Sequence, residues 1–142
     1  MDRGTFREIE HTADLGLDLA GPTRAAVLEA AQRGLVRVLF GEDPAVAADG
    51  ERTVALSEPD PPELLKAWCE ALYRLLEEER FVALETRVES DRPGDFRARV
   101  RGAVVPPAEL ARASELKAVT WHQLRFEPAA DGGWAGRVIF DV

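Results

Sequence analysis

The stretch KAVTWHQLRFEPAADGGWAGRVIFDV, residues 117–142, decides the predicted fold of this chain. It contains two strand-like runs on either side of Asp131-Gly132-Gly133, which is a turn signal. A turn within 127–133 closes a hairpin in which Phe126 lies opposite Trp134. The sequence therefore predicts that the last two strands are antiparallel neighbours in a sheet.

This register makes a prediction about the end of the chain. Val119 falls opposite Asp141, and Lys117 becomes a diagonal cross-strand neighbour of Asp141, within reach of a lysine side chain. A slip of one residue would move every side chain to the other face. Because side chains alternate along a strand, one face is predicted to carry Lys117, Val119, Trp121, Gln123 and Arg125 with Ala135, Arg137, Ile139 and Asp141.

Two helices and several further strands are predicted upstream. Thr23 is a capping residue before a helix over 24–40, and Gly41 ends that helix. Asp60 precedes two prolines and a second helix that runs to about 79. Alternating or apolar runs predict strands at 5–10, 15–19, 53–56, 81–90 and 96–104. The pattern predicts an α+β fold over residues 1–142, a single two-layer domain with two helices on a largely antiparallel or mixed sheet.

Composition narrows the class of protein. The chain has 142 residues, 46% hydrophobic and 31% charged, as expected of a globular domain with one core. It contains no apolar run near the ~20 residues that a membrane helix needs, and the N-terminus lacks an apolar signal segment. We therefore expect a cytoplasmic protein without membrane association. The net charge of −8 argues against direct nucleic-acid binding and favours a basic partner.

The candidate site residues are oxygen donors at two distant places. Asp14 ends the polar segment His11-Thr12-Ala13-Asp14 between two predicted strands, a usual position for functional side chains. Asp141 and the terminal carboxylate of Val142 lie at the tip of the last strand. This hard donor set suits Ca²⁺ or Mg²⁺. The alternative for Asp14 is a structural role, in which its carboxylate accepts backbone N–H bonds in the turn.

Zinc is a rival hypothesis. A zinc site would form if four side chains converged, namely His11, Asp14, His122 and Asp141. The predicted register, however, places His122 on the opposite face from Asp141. Cys69 is the only cysteine, which excludes an internal disulfide and a multi-thiolate metal site. Its place beside Trp68 on the second helix indicates a packing role. The sequence contains no phosphate-binding glycine loop or nucleophile elbow.

Three motifs together resemble the archease family. They are HTADLG at 11–16, KAVTWH at 117–122 and the ending RVIFDV at 137–142, and they match in order over the whole chain. The resemblance implies an α+β fold and a protein cofactor, not an enzyme. Members act on the GTP-dependent tRNA-splicing RNA ligase and promote its guanylylation and its multiple turnover.

The resemblance also implies roles for individual residues. Asp14 and Asp141 carry over as metal ligands, with Val142 contributing terminal main-chain oxygens, and Lys117 carries over as an essential polar residue. His11 belongs to the same functional set. We therefore expect an activator of the RNA ligase that binds a divalent ion, Ca²⁺ in the first place, at an acidic tip. A stand-alone metal-dependent hydrolase and a general chaperone or adaptor are the alternatives.

Two departures from the family pattern stand out. Residues 102–107 read GAVVPP where a Gly-Glu-x-aromatic-Asp segment is expected, and 112–114 read RAS where a histidine is expected. A family role carried by the connection 102–114 is therefore in question for this chain. Trp121 replaces the more usual tyrosine, which removes a phenolic hydroxyl and keeps an aromatic ring.

Overall fold

A computed structural model describes residues 3–11 and 14–142 of the chain. The elements run in the order β1 (Thr5–His11), β2 (Asp14–Gly21), α1 (Arg24–Phe40), β3 (Gly50–Leu56), α2 (Pro61–Glu79), β4 (Phe81–Arg92), β5 (Asp95–Val104), α3 (Pro107–Leu110), β6 (Ala118–Val119), β7 (Arg125–Pro128) and β8 (Trp134–Asp141). The bounds of α1 and α2 agree with those predicted from the sequence.

The strands form two antiparallel sheets. Sheet A has the order β1-β2-β8-β6, with β7 also paired to β8, and sheet B has the order β3-β5-β4. Both long helices contact strands of both sheets. The predicted α+β class, with helices packed on antiparallel sheet, is confirmed. The strands divide into two sheets because each covers a different side of the helices.

Helix α1 begins and ends where its capping residues predict. The Thr23 hydroxyl accepts a hydrogen bond from the Ala26 N–H at 3.1 Å, which satisfies one of the free donors at the helix start. At the other end Gly41 adopts a left-handed conformation with φ of 76°, and its N–H donates to the Arg37 carbonyl. Such local signals explain why the sequence alone locates this helix.

Helix α1 is also the most enclosed element of the fold. Buried residues lie on most of its surface, including Val27, Leu28 and Leu35. Gln32 is the one buried polar side chain found among the described residues. Its amide donates to the Ala83 carbonyl at 2.6 Å and accepts from the Thr86 hydroxyl at 2.9 Å. Both polar ends of Gln32 are therefore satisfied by β4, which fixes α1 against sheet B.

Helix α2 presents one apolar stripe to the same core. Trp68 is fully buried, donates its indole N–H to the Leu28 carbonyl at 2.8 Å, and packs edge-on against Phe96. Asp60 occupies the N-cap position as predicted, but its side chain makes no capping hydrogen bond. None of the helices in the described ranges is both long enough and apolar enough to cross a membrane.

Arg24 joins the two sheets at one end of α1. Its guanidinium forms a two-point ion pair with Asp91 at the tip of the β4–β5 hairpin, with N···O distances of 3.1 and 3.0 Å. The same group lies over the rings of Phe126 and Trp134 in sheet A, 5.7 and 5.3 Å from the ring centroids. Because both members of the ion pair are largely buried, this contact is more specific than an ordinary surface pair.

The predicted register of the final hairpin is wrong. Phe126 pairs with Gly136, not with Trp134, and Ala118, not Val119, pairs with Asp141. Between these pairings the strand is interrupted by a turn over 120–124. Burial explains the change, because Val119 and Phe126 are both buried in the core and a continuous hairpin would not place both there. One part of the predicted face is observed, because Arg125 and Arg137 lie opposite each other on the same face.

Gly16 is required where β2 meets β8. A Cβ atom at Gly16 would lie 2.7 Å from the Val138 carbonyl oxygen and 2.7 Å from Ile139 Cδ1. At Gly50, another strand glycine, the nearest atom to a Cβ is 3.4 Å away, an ordinary contact distance. The two glycines therefore provide a matched pair for testing the close approach of β2 to β8.

We expect Gly16→Ala to lower the free energy of unfolding by about 1–3 kcal/mol, because the added methyl group forces β2 away from β8. Gly50→Ala should be neutral or slightly stabilising, since alanine loses less backbone entropy on folding. Urea denaturation of both variants measures the difference. Equal stability of the two variants would contradict the close packing of the β2–β8 pair.

Candidate functional site

Two carboxylates that are far apart in sequence lie opposite each other at one end of sheet A. Asp14 begins β2 and Asp141 ends β8, and the two residues are direct cross-strand partners. The row continues on both sides, because His11 pairs with Asp14 and Ala118 pairs with Asp141. The side chain of His11 and residues 12–13 lie outside the described residues, so the predicted role of His11 stays a prediction.

The alternation of β2 determines which face carries these carboxylates. Leu17 and Leu19 are buried in the core, so Asp14 and Asp18 belong to the opposite, outer face of sheet A. Both Asp14 and Asp141 are half-buried. Strand β1 ends at His11 and strand β2 begins at Asp14, so both residues belong to strands. The sequence analysis predicted that they lie in the loop between the strands.

A second aspartate, Asp18, lies on the same face two rows away, beyond Gly16 and Ile139, and is neutralised by arginine. Asp18 lies opposite Arg137, whose guanidinium donates to both carboxylate oxygens at 2.7 and 3.0 Å. Arg7, opposite Asp18 on β1, adds a bond of 3.0 Å. The hydrogen bonds from Arg137 are the main cause that lowers the pKa of Asp18, against the opposing effect of burial, and Arg7 adds to the lowering.

Asp14 and Asp141 receive no such compensation from the side chains that the structure describes. Among the side chains that the structure describes, no lysine, arginine or histidine nitrogen forms an ion pair with either carboxylate. Like charges directly opposite on a sheet are destabilising. The row therefore holds two facing negative charges that a cation would stabilise.

Lys117 and Val142 lie next to this pair. The Lys117 N–H donates to the Asp141 carbonyl at 2.8 Å, so its backbone is fixed beside the acidic tip. Its side chain is exposed. Because Ala118 and not Val119 is opposite Asp141, Lys117 is not the diagonal neighbour that the sequence register predicted. Val142 is half-buried and packs partly against the core.

The described side chains do not form the zinc site considered above, of which the His11 side chain lies outside the described residues. His122 is exposed in the turn over 120–124, where its N–H donates to the Thr120 hydroxyl at 3.3 Å. Within residues 3–11 and 14–142, no three His, Cys, Asp or Glu side chains are grouped so that they would hold a metal ion. Cys69 is fully buried, and burial raises the pKa of its thiol to about 12, as expected of a packing residue.

One feature of this region could not be read from the sequence. The pairing of Asp18 with Arg137 links residues 119 positions apart, and no local pattern specifies that β2 lies beside β8. Arg137 also donates to the Gln123 side-chain oxygen at 2.9 Å. The same guanidinium thus connects the neutralised row to the turn over 120–124, which the sequence analysis had assigned to a continuous strand.

Comparison with known proteins agrees with this arrangement of elements. Residues 6–142 match the model of the Archease protein family (MTH1598/TM1083). The chain belongs to the archease family. It is 33% identical over 141 residues to the protein archease of Methanosarcina mazei, covering 96% of this chain and 95% of that one. It is 30% identical over 140 residues to the protein archease of Thermococcus kodakarensis, covering 96% and 98%.

Solved structures share the fold. The solution structure of protein 1598 of Methanobacterium thermoautotrophicum superposes with a TM-score of 0.80 at 27% identity, over 96% of this chain and 98% of that one. The crystal structure of a Thermotoga maritima archease, named a possible chaperone, has a TM-score of 0.65 at 19% identity, over 96% of each chain. The second comparison shows the fold alone.

The facing carboxylates make a prediction about stability. In chelator-treated buffer at low salt, Asp14→Asn should raise the free energy of unfolding by about 0.2–1 kcal/mol, because it removes one of two like charges. Asp18→Asn is the control and should destabilise the protein, since it weakens the bonds to Arg137. Urea denaturation measures both. If Asp14→Asn destabilises as Asp18→Asn does, Asp14 is a structural acceptor of backbone hydrogen bonds.

Proposed function

We propose that this archease activates the GTP-dependent tRNA-splicing RNA ligase, promoting its guanylylation and its multiple turnover. The proposed site is the acidic tip, formed by Asp14, Asp141, the terminal carboxylate of Val142 and the ammonium group of Lys117. The observation that carries the proposal is the pair of facing carboxylates in sheet A, which form no ion pair with any described side chain. Family membership supports the choice of the ligase as partner.

The residues present fit a divalent ion. Asp14 and Asp141 offer carboxylate oxygens from adjacent strands, and Val142 follows Asp141 directly. Calcium accepts irregular arrangements of six to eight oxygens, so a few protein ligands together with water or partner oxygens suffice. Magnesium demands a more regular octahedron, which makes calcium the better candidate. The bound ion would neutralise the two carboxylates and attract phosphate or carboxylate oxygens of the partner.

The protein's own residues would then act by positioning. The two strands fix the carboxylates through backbone pairing, and Lys117 is held beside them by its N–H bond to Asp141. Nucleotidyl transfer to a ligase lysine requires several charged groups to be oriented at once. A partner that arrives with oxygens and an ammonium group already in place lowers the entropy lost in assembling that state.

A chaperone or adaptor without a metal role is the second candidate. The Thermotoga maritima archease, which shares the fold, is named a possible chaperone. In that case the acidic tip would serve only as a docking surface for basic groups. Because the first candidate needs the ion and the second does not, metal binding separates them. Hydrolysis of phosphoesters by the isolated protein would instead favour a metal-dependent hydrolase.

The metal prediction is direct. Calcium titrated into the wild-type protein should bind weakly to moderately, as measured by calorimetry and by a rise in melting temperature. Asp14→Ala and Asp141→Ala should abolish both signals. Asp49→Ala removes an exposed carboxylate beside sheet B, away from the acidic tip, and should bind calcium like the wild type. Identical titrations of wild type and Asp141→Ala would exclude Asp141 from the site and favour the chaperone.

The activation prediction concerns Lys117. Substoichiometric wild-type protein should raise multiple-turnover ligation by the RNA ligase, while Lys117→Ala should lose most of this effect. The exposed side chain predicts a change in unfolding free energy within about 0.5 kcal/mol. Lys117→Arg should restore little, because a guanidinium presents its donors differently from a compact ammonium.

Arg97→Ala is the control for that experiment, since it removes one exposed positive charge from sheet B. It should activate the ligase like the wild type. Melting curves are recorded beside the guanylylation assay for each variant. Full activation by Lys117→Ala would remove this residue from the site, and loss of stability in step with activity would make it structural.

A further inference from the structure

Trp121 is an exposed aromatic side chain in the turn that follows β6. The residue is 64% exposed, whereas Trp68 is fully buried. Val104, on sheet B, is the other large hydrophobic residue found exposed in the described part of the chain, at 51%. A single exposed apolar residue is ordinary on a protein surface. A binding role for Trp121 therefore depends on whether the fold holds the indole in a fixed place.

The turn that carries Trp121 is fixed at both ends. On one side the Thr120 N–H and hydroxyl both donate to the Ile139 carbonyl, at 2.9 and 3.0 Å. On the other side the Leu124 N–H donates to the Trp121 carbonyl at 3.2 Å. Between them Gln123 has φ of 52°, in the left-handed region that disfavours residues other than glycine. Its side chain bonds to Arg137, which stabilises this conformation.

The indole itself rests on helix α2. The Lys66 ammonium lies 4.7 Å from the centroid of the Trp121 ring and forms an ion pair of 2.9 Å with Glu70. The Lys66 side chain is only 14% exposed, so it fills the space under the ring. A cation over one face of an indole is attractive and holds the ring in place. The rest of the ring is left to solvent.

The position of the turn connects Trp121 to the proposed site. Strand β6 ends at Val119, and Ala118 in that strand pairs with Asp141. Trp121 therefore lies three residues after Ala118, the residue opposite Asp141. The Lys66 ammonium that contacts the ring is paired with the acidic Glu70, and the protein carries a net charge of −8. An indole in these surroundings suits a partner surface with an apolar pocket and basic groups around it.

From this arrangement we propose that Trp121 is an anchor residue for docking on a protein, the RNA ligase, where its indole enters an apolar pocket with a basic rim. The inference rests on the proposed function and names the contact that precedes activation. Tryptophan is enriched among residues that dominate binding energy at interfaces. Because the turn already fixes the ring, docking loses little side-chain entropy. The negative charge disfavours stacking on a nucleic-acid base, the other use of an exposed indole.

The test measures binding and activation separately. The affinity of the full-length protein for purified RNA ligase is determined by calorimetry, and ligation turnover is assayed on the same samples. Trp121→Ala should weaken binding roughly 30-fold or more, as for an interface residue that dominates the affinity. Trp121→Phe keeps an aromatic ring over Lys66 and should lose less. Val104→Ala, the matched truncation of an exposed apolar residue on sheet B, should bind like the wild type.

A spectroscopic measurement shows whether the indole itself is buried on binding. The chain, labelled with 5-fluorotryptophan, gives fluorine signals for its 3 tryptophans, and Trp121→Phe assigns one of them. Unlabelled ligase should shift the Trp121 signal and leave that of Trp68 in place. Melting curves of all variants show whether loss of the cover over Lys66 unfolds the protein. A binding loss explained by unfolding would overturn the anchor.

The remaining outcomes separate the anchor from the proposed function. If the wild type activates the ligase and Trp121→Ala binds equally well, the anchor is wrong and the function stands. If the wild type binds without activating, while Trp121→Ala binds weakly, the anchor stands and the function is wrong. Absence of wild-type binding overturns both. If single-stranded RNA alone shifts the Trp121 fluorine signal, the indole stacks on bases and the proposed protein pocket is wrong.

Discussion

The enclosure of helix α1 is the constraint on which the rest of the structure depends. Buried residues lie on most of the surface of this helix, so one sheet cannot cover it. Sheet A and sheet B both contact α1, and Gln32 bonds to β4 through both ends of its amide. Strand β2 of sheet A packs on α1, and β8 pairs with β2. That pairing places the two carboxylates opposite each other.

The sequence predicts the elements of this fold well because their signals are local. Thr23 and Gly41 mark the ends of α1 through bonds within the helix and its caps, so its bounds are the predicted ones. The alternation of buried and exposed residues in β5 likewise follows from side-chain period alone, with Phe96, Ala98 and Val100 buried and Arg97, Arg99 and Arg101 exposed. The α+β class then follows from the order of these elements.

The site is less predictable because it depends on contacts between distant segments. Asp14 and Asp141 were singled out as oxygen donors, but only the β2–β8 pairing places them opposite each other. The register of the last hairpin was wrong for a related reason. The turn signal locates the hairpin but does not set its register, since Pro128 and not Phe126 pairs with Trp134. Burial of Val119 and Phe126 in the core determines which side chains face inward. Gln123, in a left-handed conformation without glycine, gave no sequence sign of a turn.

Arg137 shows how the fold combines stability with the proposed site. Its guanidinium neutralises Asp18 in one row of sheet A and bonds to Gln123 in the turn that carries Trp121. Two rows away on the same face, beyond Gly16 and Ile139, Asp14 and Asp141 remain without a described cationic partner. A face that neutralised both rows would be more stable but would offer no charge to a ligand. Because Arg137 bonds to both Asp18 and Gln123, the neutralised row also supports the turn that carries the exposed indole.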